Sequence, residues 1–441
     1  MENEEIKNMP ERSVKEYLHN KRSELTNHLR TELSKGKGAG LLKGKRRTRR
    51  KKITDFLGKE IWSWLYHYIK SRFGKKAKYR PYPAGETGVY KLTKSAGSAN
   101  EYMSIALASD WATDTKESEG VCQQIKKHEP DYTVHIGDIY FVGAPHEVKR
   151  NFIFRHSPWV RGNTGSFAVM GNHEMYARGE AFFEHLLPTL GIKTINGNYD
   201  GQKAGFFCLE NDYWRILGLD TGYHSIGIPI IEFLPFCSPD ARLDKILVNW
   251  LKETVRLGDP NDKRGLVILT HHQFITAFKG ETEFSVPAKQ LASIIGKDRK
   301  IIWLWGHEHK LSLFEKAEIR DNIFVYGRCI GHGGTPIEIK SGGFTKSPKK
   351  KGFNKLVMFD NRIEQVIEKT ALGYNGYAVL NIRDNELKIE YYDRHNKLLS
   401  EKWTADISAA NITGSIEVPP DCPLKPEQGK TWEDACKDLK P

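Results

Sequence analysis

The chain has 441 residues, a net charge of +13 and 39% hydrophobic residues, enough for one sizeable core and two or three structural units. It holds no apolar run of the roughly 18 residues that crossing a membrane requires, and its acidic start, Met1-Glu2-Asn3-Glu4-Glu5, does not read as a secretory signal. The six cysteines are scattered without a Cys-x-x-Cys pair, which excludes a thiolate metal site of the usual spacing and predicts a reducing, cytoplasmic location.

The charge is uneven. Residues 1–80 hold 23 Lys and Arg against 9 Asp and Glu, and the rest holds 45 against 46. Basicity therefore belongs to an N-terminal arm, residues 1–87, that is partly helical by pattern. Residues 1–34 are charged and helix-permissive, and 35–40 are a Gly/Lys break. Eight of the ten residues from 43 to 52 are Lys or Arg, a run that stays solvated or binds an anionic surface. From 53 to 73, Ile53, Leu57, Ile61, Trp64, Leu65 and Tyr68 recur at helical spacing beside Lys59, Lys70 and Arg72. Such a helix docks on the main domain or lies at a membrane surface. Residues 43–73 are accordingly the place for a nucleic-acid or membrane-peripheral contact.

From residue 88 to 335 strands and helices alternate. Strands are expected at 103–109, 131–136, 166–170, 265–270, 301–305 and 322–326, with a hairpin at 205–219 around Asn211-Asp212. Helices are expected at 118–128, 145–155, 181–190, 241–255 and 285–295. This alternation predicts an α/β layered domain with its chemistry at strand ends. Residues 336–441 form a β-rich extension and tail. A Gly/Lys-rich loop at 341–355 precedes strands at 356–359, 377–382 and 386–392, and 405–441 reads as loop.

Five strand ends carry metal-ligand types of residue: Asp110, Asp138 in Gly137-Asp138, Gly171-Asn172-His173-Glu174, His271-His272, and Gly306-His307-Glu308-His309. Two carboxylates, an amide and several imidazoles suit Mn²⁺, Fe²⁺ or Zn²⁺. The set is too large for one ion and suits two that share a carboxylate. Two such ions clamp a phosphoryl group and activate a water near neutral pH, and a neighbouring His can protonate the leaving oxygen.

These five motifs, in this order, resemble the calcineurin-like metallophosphoesterase superfamily. The resemblance implies an αββα sandwich with a dinuclear site on one edge, and attack by a hydroxide that bridges two divalent ions on a phosphomonoester or phosphodiester. It assigns Asp110 and His309 to the first metal, Asp138 to both, and Asn172, His271 and His307 to the second. His173 contacts the leaving group or the phosphate, and His272 is a further ligand or stands behind one. The family's first motif has a His two residues after the Asp, where this chain has Ala112. In the purple-acid-phosphatase branch that His is also missing, and a Tyr three residues after the shared Asp binds iron. Here that position is Phe141, with Tyr140 one residue earlier. Tyr140, Asp114 or water could fill the gap, and strand alternation disfavours Tyr140 unless the chain has already turned.

Softer expectations are a Gly-rich loop at 328–334 with His332 as a substrate contact, a pocket mouth shaped by Tyr176 and Arg178, and a structural turn at Asp220-Thr221-Gly222. The competing reading is a catalytically weak module that binds anions or nucleic acid through the arm.

Overall fold

The structure, a computed structural model, describes residues 76–95, 100–226, 239–278, 281–335, 337, 339, 356–367, 370–426 and 431–433. The expected helices at 1–34 and 53–73, the basic run at 43–52 and the loop at 341–355 lie outside these residues. In chain order the strands are β1 (Val89–Lys91), β2 (Met103–Ala108), β3 (Tyr132–Ile136), β4 (Gly165–Val169), β5 (Gly191–Ile192), β6 (Phe207–Glu210), β7 (Trp214–Gly218), β8 (Gly265–Thr270), β9 (Lys300–Trp305), β10 (Leu311–Arg320), β11 (Ile323–Ile330), β12 (Leu356–Phe359), β13 (Ile363–Ile367), β14 (Thr370–Gly373), β15 (Gly376–Arg383), β16 (Glu386–Asp393), β17 (Lys397–Asp406) and β18 (Asn411–Glu417). They build two large sheets, ordered β1-β6-β7-β8-β9-β11-β10-β12 and β18-β17-β16-β15-β2-β3-β4-β5, and a β13-β14 hairpin.

Period-two alternation explains the layering. Ile105, Leu107, Val134, Ile136, Val267, Leu269, Ile302 and Leu304 meet between the sheets. Their strand neighbours Ala106, Ala108, Leu266, Ile268, Ile301 and Trp303 pack on the outer faces with helical residues such as Val121, Ile125, Leu247 and Leu291. Both faces are buried, so these strands read as unbroken apolar runs. The result is the α/β sandwich that the sequence predicts. The helix Lys116–Lys127 covers one face. It starts at Thr115, whose hydroxyl accepts from Ser118 N while Ser118 Oγ accepts from Thr115 N.

Several boundaries differ from expectation. The 145–155 helix is an α-turn at Pro145–Val148 followed by a wider turn at Lys149–Ile153, and 181–190 is likewise a wide turn at Phe182–Leu186 and a tight one at Leu187–Thr189. The 241–255 helix is shorter, Lys245–Glu253, and is capped by Asp244. Arg328, Cys329 and Ile330 belong to β11 rather than to a Gly-rich loop. Residues 405–417 hold the end of β17 and all of β18 where loop was expected. The strands after residue 375 extend the inner sheet, because β15 pairs with β2 through Leu380↔Ile105. One buried ion pair spans the sandwich: Arg328 on β11 donates to both carboxylate oxygens of Glu401 on β17, at 2.7 and 3.1 Å.

Candidate metal centre

β2, β3 and β4 run parallel, as do β7, β8 and β9. Their carboxyl ends therefore lie at one edge, where ligands bind in open α/β sheets. Three of the expected residues there, Asp110, Asp138 and His307, take left-handed backbone conformations with φ of 55°, 71° and 65°. Each costs about 1–3 kcal/mol and turns the chain sharply as the strand ends, so that successive side chains face the same space. Gly137 has φ 82°, and a Cβ there would meet His271 Nδ1 at 2.6 Å.

Asp110, Asp138 and His309 bring their ligand atoms together within 4.8 Å. His309 Nε2 lies 2.8 Å from Asp110 Oδ1. Asp110 Oδ2 accepts from Ser109 Oγ and from His307 N, both at 2.8 Å. Into this group points the hydroxyl of Tyr140, 3.0 Å from Asp110 Oδ1, 3.2 Å from Asp138 Oδ2 and 2.8 Å from His309 Nε2. The objection from strand alternation falls because β3 ends at Ile136 and the chain has turned before residue 140. Ala112 sits fully buried, bridged to Ile139. The Tyr140 hydroxyl thus reaches the group that has no imidazole at position 112. Asp114 Oδ2 is paired with Arg150 at 2.7 Å.

His271, His272 and His307 form a second group with ligand atoms within 4.8 Å. His271 Nδ1 lies 2.9 Å from Ile136 O. A carbonyl only accepts, so Nδ1 carries the proton and Nε2 of the neutral ring offers a lone pair. Nε2 faces Asn172 Oδ1 and Asp138 Oδ1, each at 3.2 Å. Three acceptors thus converge with no donor among them, an arrangement that a cation resolves. In the ion-free chain a proton does so. Burial disfavours the His271 imidazolium, but Asp138 and Asp110 push its pKa up to about 10. Burial would likewise raise both carboxyls, yet His309 and His271 hold Asp110, and His271 and His173 hold Asp138, well below the usual carboxylate range. His307 falls to about 4 through burial and its neighbour His271.

Asp138 faces both groups. Its Oδ1 is toward His271 and accepts from His173 N at 2.9 Å, and its Oδ2 is toward Tyr140. His173 Nδ1 lies 2.6 Å from Phe141 O. The same tautomer argument leaves Nε2 facing the centre, 3.8 Å from Asp138 Oδ2. Glu174 ties the two turns together, with Oε2 accepting from Gly171 N at 3.0 Å and Asp138 N at 3.3 Å.

The softer expectations divide. Tyr176 stands edge-on to His173 at 4.9 Å. Arg178 gives its carbonyl to Ala77 N at 2.9 Å and so anchors the segment that enters the domain. His332 does not join the centre. It is 1% exposed and lies so close to Gly376 of β15 that a Cβ there would meet its Nε2 at 2.7 Å, which leaves no surface for a substrate contact. Asp220 makes the expected turn, its Oδ1 accepting from Gly222 N and Tyr223 N at 2.8 and 2.9 Å. Sequence reasoning missed Thr221 beside it, whose hydroxyl holds His272 at 3.0 Å. A threonine next to a turn carries no sequence signal for such a role.

A sequence model of the calcineurin-like phosphoesterase family matches residues 103–311. No curated protein matches the sequence. Solved structures similar to the chain include GAP50, the anchor in the inner membrane complex of Plasmodium, at 13% identity, over 70% of this chain and 90% of that one, with a TM-score of 0.44. PhoD is similar at 12% identity, over 76% of this chain and 74% of that one, with a TM-score of 0.43. A purple acid phosphatase from yellow lupin (Lupinus luteus) seeds is similar at 14% identity, over 70% and 53%, with a TM-score of 0.40. The matched segment, a little under half of the chain, contains all five motifs, from Asp110 to His309, and this likeness to the calcineurin-like phosphoesterase family supports a hydrolase acting on phosphoric ester bonds.

Proposed function

We propose that the chain hydrolyses a phosphomonoester or phosphodiester at a centre of two divalent ions, Mn²⁺, Fe²⁺ or Zn²⁺. The observation that carries the reading is Asp138, whose two oxygens face two separate groups of donors. Asp110, His309 and the Tyr140 hydroxyl, with Asp138, would hold one ion. Asn172, His271 and His307, again with Asp138, would hold the other. When bound, the ions supply a nucleophilic water near neutral pH and offset charge on the phosphoryl oxygens. Imidazole, carboxylate and phenol donors without thiolate suit these borderline ions.

The chain's own residues do the rest. The carbonyl of Ile136 fixes the His271 tautomer and aims its lone pair. The carbonyl of Phe141 holds His173 Nδ1–H in the same way and turns Nε2 toward the centre, where the ring, once it has taken a second proton on Nε2, would give that proton to the leaving oxygen. Glu174 keeps the Gly171 and Asp138 turns in register, so these groups stay placed between turnovers.

The substrate reading rests on charge, and it favours a polyanion, with nucleic acid ahead of an anionic membrane surface, bound in the cytoplasm. Besides the basic run at 43–52, residues 340–355 hold six lysines and no acid. Thr335, which precedes the second of these segments, lies beside the centre, its N donating to Asp110 O at 3.0 Å. Added salt should then lower kcat/KM for an oligonucleotide steeply and leave that for p-nitrophenyl phosphate nearly unchanged; equal salt effects would remove this substrate class.

The reaction itself is tested by hydrolysis of p-nitrophenyl phosphate and bis-p-nitrophenyl phosphate with Mn²⁺, Zn²⁺, Fe²⁺ or no metal, using wild type and Asn172→Ala. Metal-dependent turnover that the variant loses supports the reading, and the preferred ester decides monoester or diester. No turnover with any metal and either ester counts against it.

A further inference from the structure

We infer that His272 is a ligand of the second ion, which makes that site a three-imidazole site positioned by Thr221. The inference rests on the dinuclear reading above and deepens it.

His272 is 2% exposed, and its Nε2 is buried with no hydrogen-bond partner among the described residues. Leaving a polar atom buried and unpaired is costly, so a native chain gives it a partner. The ring packs 4.9 Å from His271, 4.7 Å from His307 and 4.8 Å from Phe284. Phe284 offers no acceptor for an N–H, which leaves the imidazole-lined space as the place for a partner.

The opposite side of the ring is fixed. Thr221 Oγ1 accepts from His272 N at 3.0 Å and stands 3.0 Å from His272 Nδ1. A hydroxyl oxygen has two lone pairs. One takes the backbone N–H; when the second takes Nδ1–H, rather than the hydroxyl giving its own proton to Nδ1, Nε2 keeps its lone pair. This is the tautomer a ligand needs, and the hydroxyl plays the orienting part that a carbonyl plays for His271. The carbonyl of His272 is also pinned, accepting from Thr270 Oγ1 at 3.0 Å.

Distance agrees. The ligand atoms of His271, His272 and His307 lie within 4.8 Å of one another. Nitrogens bound to one ion at about 2.1 Å stand no more than about 4.2 Å apart, so closure of a few tenths of an ångström brings all three into bonding range. Three neutral imidazoles suit zinc well.

The test uses the full chain stripped of metal and titrated with Zn²⁺ against a chromophoric chelator. Wild type should bind two ions. His272→Ala should bind the first as wild type does and the second about ten-fold or more weakly, with Thr221→Val in between. Nitrogen-labelled histidine in the unmutated chain gives a readout independent of variant folding: the His272 Nε2 resonance should shift on loading while Nδ1–H is retained. Two tightly held ions in His272→Ala, or a His272 Nε2 that stays protonated in the loaded chain, would overturn the assignment and leave the dinuclear reading standing. Fewer than two ions in wild type would overturn both.

Discussion

Gly171→Ala tests whether Asp138 organises the centre. Gly171 has ordinary extended backbone, φ −100° and ψ −171°, so alanine there adds no backbone strain. Its Cβ, however, would stand 2.2 Å from Asp138 Oδ1 and 2.6 Å from Asp138 N. Ordinary contact begins near 3.4 Å, so the carboxylate must retreat by roughly 1 Å, because the backbone behind it cannot yield cheaply. Overpacking of this kind costs about 1–3 kcal/mol of stability. A displacement of about 1 Å in a reacting group costs on the order of a hundred-fold in rate, or about 2.7 kcal/mol. We expect a folded protein with a modestly lower Tm, a hundred-fold lower kcat on bis-p-nitrophenyl phosphate, and weaker binding of both ions. Gly296, where a Cβ meets nothing within 4 Å, is the control. If Gly171→Ala keeps wild-type kcat and metal content, Asp138 does not hold the centre as described.

Tyr140→Phe removes the hydroxyl that lies among Asp110, Asp138 and His309; we expect about 10–100-fold weaker binding of the first ion, measured by metal titration, with the second unchanged. Asp220→Asn tests a buried carboxyl. Burial pushes the Asp220 pKa up to about 7 from an ordinary 3.8. The folded chain thus holds a proton that the unfolded chain releases, and stability falls as pH rises from about 4 to 7. That window is worth roughly 4 kcal/mol, so denaturant unfolding should show the variant gaining on wild type between pH 5 and pH 7.5; parallel pH profiles would contradict this. Arg328→Met leaves Glu401 as a buried charge whose remaining partners are Tyr391 and Trp403. It should cost about 3–5 kcal/mol in denaturant unfolding, and a loss below 1 kcal/mol would show that the pair contributes little.

The ligand types were legible because each follows a strand of unbroken apolar residues, and the register of parallel strands brings those ends to one edge. Tyr140 was not decidable from sequence. Its direction depends on the left-handed turn at Asp138, and period-two alternation gave the wrong side. β10 was missed because Leu311–Arg320 mixes charged and apolar residues, and its register shifts twice against β11, which destroys the period. β18 begins after the turn at residues 407–410 and is only partly buried, so it lacks a hydrophobic face. His332 looked like a site residue because glycines flank it; those glycines let the chain after β11 pass close to Glu308, Ser109 and Trp111. The arm reads clearly as a charge run, but a charge run has no fold-defining pattern, and its residues 1–75 lie outside those described.

The most direct test counts ions per chain against activity in wild type and Asp138→Ala. The account predicts two ions per wild-type chain, activity that appears only as the second loads, and loss of both ion binding and turnover in Asp138→Ala. Full activity after exhaustive chelation, or with a single ion bound, would contradict it.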